Sequence, residues 1–177
     1  MRRANLPEPV KLFSSVIATD VSSFTDVRVR LKAVFGAEDY VSDVARFAHT
    51  DYYKEEMGPA LSRIFVSYAK LVAPEEIAAA KLFTNEVEEA FLGPNGKRRV
   101  NIDPGYVTLH NVVLASTKNF SHRVHIRGGV YAEPTLLYSK KEGGFRPLEW
   151  TYPDYSAKEA REMFSMLRRM YQKEIRA

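Results

Sequence analysis

The order in which strand-type and helix-type hydrophobic patterns follow one another along the first hundred residues constrains the fold most. Residues 10–19 form an apolar, β-branched run of strand length, and the helical stripe that begins at Ser23 ends at Gly36. A second strand is expected within residues 37–49, a third over 61–71, a helix beginning at Pro74, and a fourth strand over 98–107. Strand, helix, strand, strand, helix, strand is the order of a ferredoxin-like split βαβ unit.

The second half predicts a largely antiparallel layer closed by a helix. Strands are expected over residues 121–126, 130–138 and around Phe145, joined by glycine turns, while residues 109–117 fit a strand or a short helix. Ser156 and Glu159 resemble a capping box before a long amphipathic stripe. The predicted class is therefore α+β: a ferredoxin-like first half, an extended antiparallel sheet with helices packed on it, and a closing C-terminal helix.

Two details of this prediction are specific enough to be checked. Ser23 and Asp26 should cap the first helix, whose inward stripe is Phe24, Val27, Leu31, Val34 and Phe35. The second helix should face inward with Ile77, Ala80, Phe83, Val87, Ala90 and Phe91. Asp103-Pro104-Gly105 should interrupt the fourth strand with a turn.

Composition narrows the chemistry. The 177 residues include no Cys, which excludes disulfides, a zinc ribbon, an iron–sulfur cluster and a thiol nucleophile. Residues 1–177 are expected to form one domain, with 1–9 as an extended lead-in, since no linker or repeat divides the chain. No apolar run reaches membrane-spanning length, and no apolar segment follows Arg2-Arg3, so a cytoplasmic protein without a membrane partner is expected.

The net charge of +4 is unevenly distributed. Residues 1–90 carry 11 Lys and Arg against 14 Asp and Glu, whereas residues 91–177 carry 15 against 8. The second half is thus the part suited to anions, RNA included, although solvated basic loops would give the same count.

The first candidate motif is a strand entered by basic residues. Strand alternation puts Arg99, Asn101 and Asp103 on one face, with Arg98 before them and Tyr106 after them. An Arg, an amide and a carboxylate on one face suit a polar ligand or a metal-bound phosphate, so a divalent metal remains open without being indicated. An ion-paired strand end would look the same.

A second motif, Thr50 to Gly58, combines Asp51, Tyr52 and Tyr53 with further carboxylates. Aromatic rings that can stack on a ligand and acidic groups occur together here, but the segment equally fits an acidic helix N-terminus.

Further candidates lie in the basic half. Ser121, His122 and Arg123 begin one strand, Glu133 lies in an apolar strand, and Trp150 and Asp154 belong to an aromatic loop. Asp51, Asp103, His122 and Glu133 are the catalytic candidates. The ligand-binding candidates are Tyr52, Tyr53, Arg98, Arg99, Asn101, Tyr106, Ser121, Arg123, Trp150 and Asp154. The aromatic loop could hold the base or sugar ring of a ligand, or it could attach the last helix to the sheet. His122 and His125 would point to opposite faces of a strand, so we predict no metal site from them.

Several motifs together resemble one prokaryotic family, the domain of unknown function forty-four-sixteen. They are Thr50-Asp51-Tyr52-Tyr53, Glu56-Met57-Gly58, Lys81 to Glu86, Arg98 to Tyr106, Ser121-His122-Arg123 and Trp150 to Tyr155, within a resemblance that runs from Pro9 to Tyr171. Some members carry a GTP-binding label, which would imply a nucleotide ligand. The family has no established catalytic residues to transfer.

The sequence has neither a P-loop nor a Rossmann, zincin or nucleophile-elbow motif. Polar residues at strand ends favour binding of a nucleotide or other phosphorylated small molecule without a P-loop. An RNA-binding or RNA-associated module and a non-catalytic structural or assembly partner are the alternatives.

Overall fold

Within residues 5–48, 54–94 and 96–176, which the computed structural model describes, nine strands form one sheet in which neighbours pair antiparallel. The strands are β1 (Val10–Ala18), β2 (Glu38–Val41), β3 (Ala45–Phe47), β4 (Leu61–Val72), β5 (Val100–Val107), β6 (Asn111–Ser116), β7 (Val124–Arg127), β8 (Val130–Ser139) and β9 (Gly144–Pro147). The helices are α1 (Ser23–Phe35), α2 (Lys54–Met57), α3 (Ile77–Glu89, after a 3₁₀ turn at Pro74–Glu76), α4 (Pro153–Ser156) and α5 (Lys158–Glu174).

The strand order is β2-β4-β1-β5-β6-β8-β7, with β3 beside β4 and β9 beside β8. Helix α1 connects β1 to β2, and α3 connects β4 to β5. Strand β1 lies between β4 and β5, and all nine of its residues are buried. Helices cover both faces of the sheet, so a strand in this position has no solvent-facing side.

Each face of the sheet has its own core. On the α1/α3 face, Val27 and Leu31 of α1 and Ile77 of α3 pack against Val16 and Ile102 of the sheet. On the opposite face, here called the α5 face, Phe164 and Leu167 of α5 pack against sheet residues such as Phe13. The α+β class, the large antiparallel sheet and the closing C-terminal helix are therefore confirmed.

The inward stripes of the helices are confirmed only in part. Phe24, Val27, Leu31 and Phe35 of α1 are buried, but Val34 is 54% exposed. In α3, Ile77, Ala80 and Val87 are buried, whereas Ala90 is exposed just after the helix ends. The stripe is narrower than the spacing predicted because one sheet face covers only one side of each helix.

Neither predicted capping box forms. Ser23 is already inside α1, and the preceding turn is held by the Ser22 amide, which donates to Asp20 Oδ1 at 2.9 Å. Before α5, the Ser156 hydroxyl donates to Pro153 O at 2.9 Å and so closes α4 instead. A short turn precedes each helix, so the serine that the pattern assigned to the N-cap lies inside α1 in the first case and closes α4 in the second.

Strand β5 also continues through Asp103-Pro104-Gly105, where a turn was predicted. Ile102, paired with Val16, directs its amide away from β1, and Pro104 two residues later has its nitrogen on the same side. Strand β6 pairs with β5 only from Gly105 onward, so the missing N–H of Pro104 breaks no ladder bond.

Candidate functional site

Strands β5 and β6 separate along the first half of β5. Their pairing joins Gly105–Val107 to Val112–Leu114 and extends no further toward the start of β5. Two side chains of α3 fill the vacated hydrogen-bonding positions: the Ile102 amide donates to Glu88 Oε1 at 2.7 Å, and Lys81 Nζ donates to Ile102 O at 2.8 Å. We call this separation the β5 gap.

A hydrogen-bonded series of side chains borders the gap. Lys81 Nζ donates to Asp103 Oδ1 at 3.1 Å, and Asn101 Nδ2 donates to Asp103 Oδ2 at 2.8 Å. Arg98 Nη1 donates in turn to Asn101 Oδ1 at 3.0 Å. Three residues singled out from the sequence, Arg98, Asn101 and Asp103, thus belong to one assembly, here called the Asp103 network.

The network opens to solvent at Arg98. Its Nε and Nη2 form a two-pronged fork with the Glu56 carboxylate, at 2.8 and 2.6 Å. The hydrogen bond from Arg98 lowers the pKa of Glu56, and the bond to Glu56 raises the pKa of Arg98. The two side chains remain 40% and 26% exposed, so solvent reaches this pair directly.

The inner end of the network is a buried charge cluster. Burial raises the pKa of Glu88, and this effect is opposed by the charge of Lys81 and the bonded Ile102 amide. With all groups ionised, Lys81 and Arg98 face Glu56, Glu88 and Asp103, which leaves one net negative charge. The fixed cations are therefore already neutralised, and a ligand anion has to replace a carboxylate.

A second assembly, here called the Glu133 cluster, lies on β8 and the loop before β7. Glu133 Oε2 contacts His122 Nε2 at 3.1 Å and accepts from Arg123 Nε at 2.7 Å. Arg123 Nη1 donates to Ser116 Oγ and Lys118 O, both at 3.0 Å, and Nη2 to the Tyr152 hydroxyl at 3.2 Å. Glu133 itself is 1% exposed, and its Oε1 has no partner among the described residues.

Aromatic rings border the Glu133 cluster toward solvent. Trp150 stacks on His122 with ring centroids 4.9 Å apart and planes 9° apart, and Phe120 contacts the same imidazole at 5.1 Å. Trp150 Nε1 donates to Pro134 O at 2.7 Å, which fastens the ring to β8. Trp150 and Phe120 are 37% and 63% exposed.

Helix α4 contributes a third group. Asp154 pairs with Arg63 of β4, both largely buried. Its neighbour Tyr155 packs between Phe65 and Phe164, and the Tyr155 hydroxyl is buried beside Ser15 of β1, with which it forms no well-aligned hydrogen bond. Burial raises the pKa of Tyr155, and the nearby charge of Asp103 adds to the increase.

The three groups share one face of the sheet. Val100 and Ile102 lie in the α1/α3 core, so alternation puts Asn101 and Asp103 on the α5 face. Glu133 is the cross-strand partner of Leu114, which belongs to the α5 core together with Tyr155. The Asp103 network and the Glu133 cluster therefore flank the β5 gap on the same face.

Other predicted residues lie elsewhere. Arg99 precedes β5 with an exposed side chain near Asp20, so it is Arg98 that joins Asn101 and Asp103. Tyr106 alternates to the α1/α3 face and lines a separate cleft of about 350 Å³ beside Pro7 and Tyr171.

Ser121 is exposed in a turn, and no hydrogen bond of its side chain enters the Glu133 cluster. Asp51, Tyr52 and Tyr53 fall outside the described residues.

The sequence reasoning missed Lys81, Glu88, Glu56 and Tyr155. A signal existed for two of them, because Lys81, Thr84 and Glu88 follow helical spacing beside the apolar stripe of α3, and all three are buried. A polar stripe adjoining an apolar one indicates polar groups enclosed between helix and sheet. Glu56 was one of the carboxylates of the second candidate motif, Thr50 to Gly58, but was not singled out within it.

The fold and this site define an α+β protein whose polar residues are collected at a separation between two antiparallel strands. The chain belongs to the family described as Domain of unknown function (DUF4416), whose model matches residues 8–171. No curated protein and no solved structure matches the chain. None of the helices in the described part of the chain combines the length and hydrophobicity needed to cross a membrane.

Proposed function

We propose that this protein binds a phosphorylated small molecule at the Asp103 network, with the phosphate taking the place of Glu56 on Arg98. The observation that carries the proposal is the solvent-accessible fork between Arg98 and Glu56, at 2.8 and 2.6 Å. A guanidinium binds phosphate and carboxylate in the same two-pronged geometry, so one anion can replace the other without leaving Arg98 unpaired.

Glu56 is suited to such an exchange. It lies on α2, a helix of four residues, and its side chain is 40% exposed, so water can solvate it once it leaves the fork. Met57 packs with Ile17, Phe47 and Leu61 and keeps α2 next to Arg98 during the exchange. Arg123 is less suitable, because its side chain is 8% exposed and already donates to Glu133, Ser116, Lys118 and Tyr152.

Adjacent arginines provide a matched test. Inorganic phosphate and ribose 5-phosphate should raise the melting temperature of the wild-type protein in a dose-dependent way. Arg98→Lys keeps the charge but removes the fork and should abolish most of this shift, whereas Arg99→Lys should preserve it. Glu56→Gln should bind phosphate more tightly. Absence of a shift in the wild type, or equal loss in both Lys variants, contradicts the proposal.

A second candidate function is RNA binding, supported by exposed aromatics beside basic residues. Phe120, Trp150 and Tyr152 are 63%, 37% and 48% exposed, and the second half of the chain carries the excess of Lys and Arg. Aromatic faces and cations are the groups that stack on and neutralise single strands. Mixed single-stranded RNA should then bind with strong salt dependence, and Phe120→Ala should weaken it. No binding at low salt contradicts this candidate.

The first half is proposed to be ferredoxin-like, supported by the order β2-β4-β1-β5 with one helix in each crossover. A cytoplasmic location is also proposed, because phosphorylated small molecules are made and held there.

A further inference from the structure

Two polar side-chain atoms in the described chain are buried without a hydrogen-bond partner, Glu133 Oε1 and the Tyr155 hydroxyl. Their residues are 1% and 5% exposed. Leaving such a group unsatisfied costs about 1–3 kcal/mol, and more for a charged one, so native proteins rarely do so without a reason. Glu133 Oε1 therefore calls for a partner that the described part of the chain does not supply, and the Tyr155 hydroxyl has Ser15 beside it but forms no well-aligned hydrogen bond with it.

Both residues lie on the α5 face, on the two sides of the β5 gap. Glu133 is paired with Leu114, and Leu114 is paired with Gly105. Tyr155 packs on Phe65 and Phe164, and its hydroxyl lies beside Ser15, the cross-strand partner of Asp103. The Asp103 side chain is 32% exposed, so the network connects solvent to this pair.

The segment that carries Tyr155 is firmly attached at its start. Trp150 Nε1 donates to Pro134 O at 2.7 Å, and Thr151 Oγ1 donates to Thr135 O at 2.6 Å. From there the chain enters α4 and delivers Tyr155 against Phe65 and Phe164. The two unpartnered atoms are thus held by strand β8 and by packed aromatic rings, as expected of a preformed recognition site.

The chemistry of the two atoms selects a ligand group. Glu133 Oε2 already meets Arg123 and His122, so Oε1 belongs to a carboxylate that can only accept. A tyrosine hydroxyl can donate and accept. Ligand hydroxyls satisfy both, one donating to Glu133 and one accepting from Tyr155, in the way that an acidic residue accepts from a ribose hydroxyl in dinucleotide sites.

We infer that the β5 gap is the hydroxyl-binding half of the same site, and that the ligand is a phosphorylated polyol of the sugar phosphate class. This inference rests on the proposed function: the phosphate occupies the Arg98 fork, and the hydroxyl-bearing carbons extend along Asn101 and Asp103 toward Tyr155 and Glu133. The hydrogen bonds from Arg98 to Asn101 and from Asn101 to Asp103 link the two halves.

Three probes separate the two halves: inorganic phosphate, ribose 5-phosphate, and tetrahydrofurfuryl phosphate, which keeps the ring and the phosphate but has no ring hydroxyls. Calorimetric titration of the full chain should give ribose 5-phosphate at least about tenfold tighter binding than tetrahydrofurfuryl phosphate, since a site built for a hydroxyl rejects an analogue without it. Tyr155→Phe and Glu133→Gln should each remove this preference and leave inorganic phosphate binding unchanged.

Tyr138→Phe is the matched control, because Tyr138 packs on Phe145, five residues along β8 from Glu133, and should keep the preference. Tyr155→Phe removes no well-aligned hydrogen bond, since Ser15 is only a neighbour of the hydroxyl, so this variant tests the inference even if Glu133→Gln does not fold. Equal binding of ribose 5-phosphate and tetrahydrofurfuryl phosphate overturns the inference but leaves the proposed function standing. Failure of all three probes overturns both.

Discussion

Two buried tyrosines show how much the stability contribution of a side chain depends on one partner. Burial raises the pKa of both Tyr68 and Tyr155. Tyr68 shares a buried hydrogen bond of 3.1 Å with Ser14 Oγ, whereas the Tyr155 hydroxyl lies beside Ser15 without a well-aligned hydrogen bond to it. The same chemical deletion therefore has different consequences at the two positions.

Tyr68→Phe should lower the free energy of unfolding by about 1–2 kcal/mol, because Ser14 is left buried and unpaired. Tyr155→Phe should leave the free energy of unfolding of the ligand-free protein unchanged or slightly higher. Urea unfolding of both variants beside the wild type measures the difference. Equal destabilisation by the two substitutions would show that Tyr155 has a partner inside the fold.

Gly105 is required for a steric reason. A Cβ at this position would lie 2.5 Å from Cζ of Phe13 and 2.6 Å from Val113 O. Gly105→Ala should cost about 1–3 kcal/mol, or more if the ring cannot shift. Gly144→Ala, whose nearest neighbour would be Ser165 Oγ at 4.0 Å, is the control and should be close to neutral in the same unfolding measurement.

Among individual residues, the sequence predicted the polar face of β5 but not its full membership. Counting alternate positions from Arg99 assumed that the strand had already begun there, whereas β5 begins at Val100 and Arg98 reaches Asn101 from the preceding loop. Partners such as Lys81 lie far away in sequence, and their approach is set by how α3 packs on the sheet. Strand alternation carries no information about that packing.

At the level of elements, one lysine joins three of them. Lys11 of β1 is fully buried and its Nζ contacts Asp39 of β2 and Glu174 near the end of α5, the latter at 2.8 Å. It also donates to Tyr68 O at 3.3 Å. Breaking a buried ion pair by removing one partner is costly because the remaining charges are left uncompensated.

Lys11→Met should therefore lower the free energy of unfolding by about 3 kcal/mol and speed hydrogen exchange in the last turn of α5. Lys158→Met, at a 76% exposed position whose contact with Glu162 spans 3.8 Å, should change the free energy of unfolding by less than about 0.5 kcal/mol. Unchanged protection in α5 of the Lys11 variant would show that this contact does not hold the helix end.

Element types were largely predictable because the hydrophobic patterns of α1, β1, β4 and α5 are clear and because glycine or proline lies next to α1, β1 and β4. The local signals that failed were the caps and the turn at Pro104. The Ser156 hydroxyl donates to Pro153 O instead of capping α5, and β5 can contain Pro104 because β6 does not pair with it there. A local pattern cannot show where a neighbouring strand stops pairing.

For the whole molecule, the two cores share the sheet, and β1 contributes to both. Val16 of β1 packs on the α1/α3 face and Phe13 on the α5 face. The loss of one core removes the support of the other, so we predict a single cooperative unfolding transition.

Trp150, the only tryptophan, reports on the Glu133 cluster, while far-ultraviolet circular dichroism reports on all helices and strands. In a urea titration the two signals should give the same midpoint and slope. An earlier transition in fluorescence would mean that β7, β8 and their loops unfold before the part of the sheet around β1.

The side chains of Lys81 and Glu88 form the hydrogen bonds to the backbone of Ile102 that a neighbouring strand would otherwise form. An open run of backbone donors and acceptors is a template on which another polypeptide can add, and proteins generally cover such runs. Here a helix on one face of the sheet reaches round the strand with an ammonium and a carboxylate and occupies the two positions. The same two α3 side chains that border the candidate site thereby also keep a strand of another molecule from pairing with β5 at Ile102.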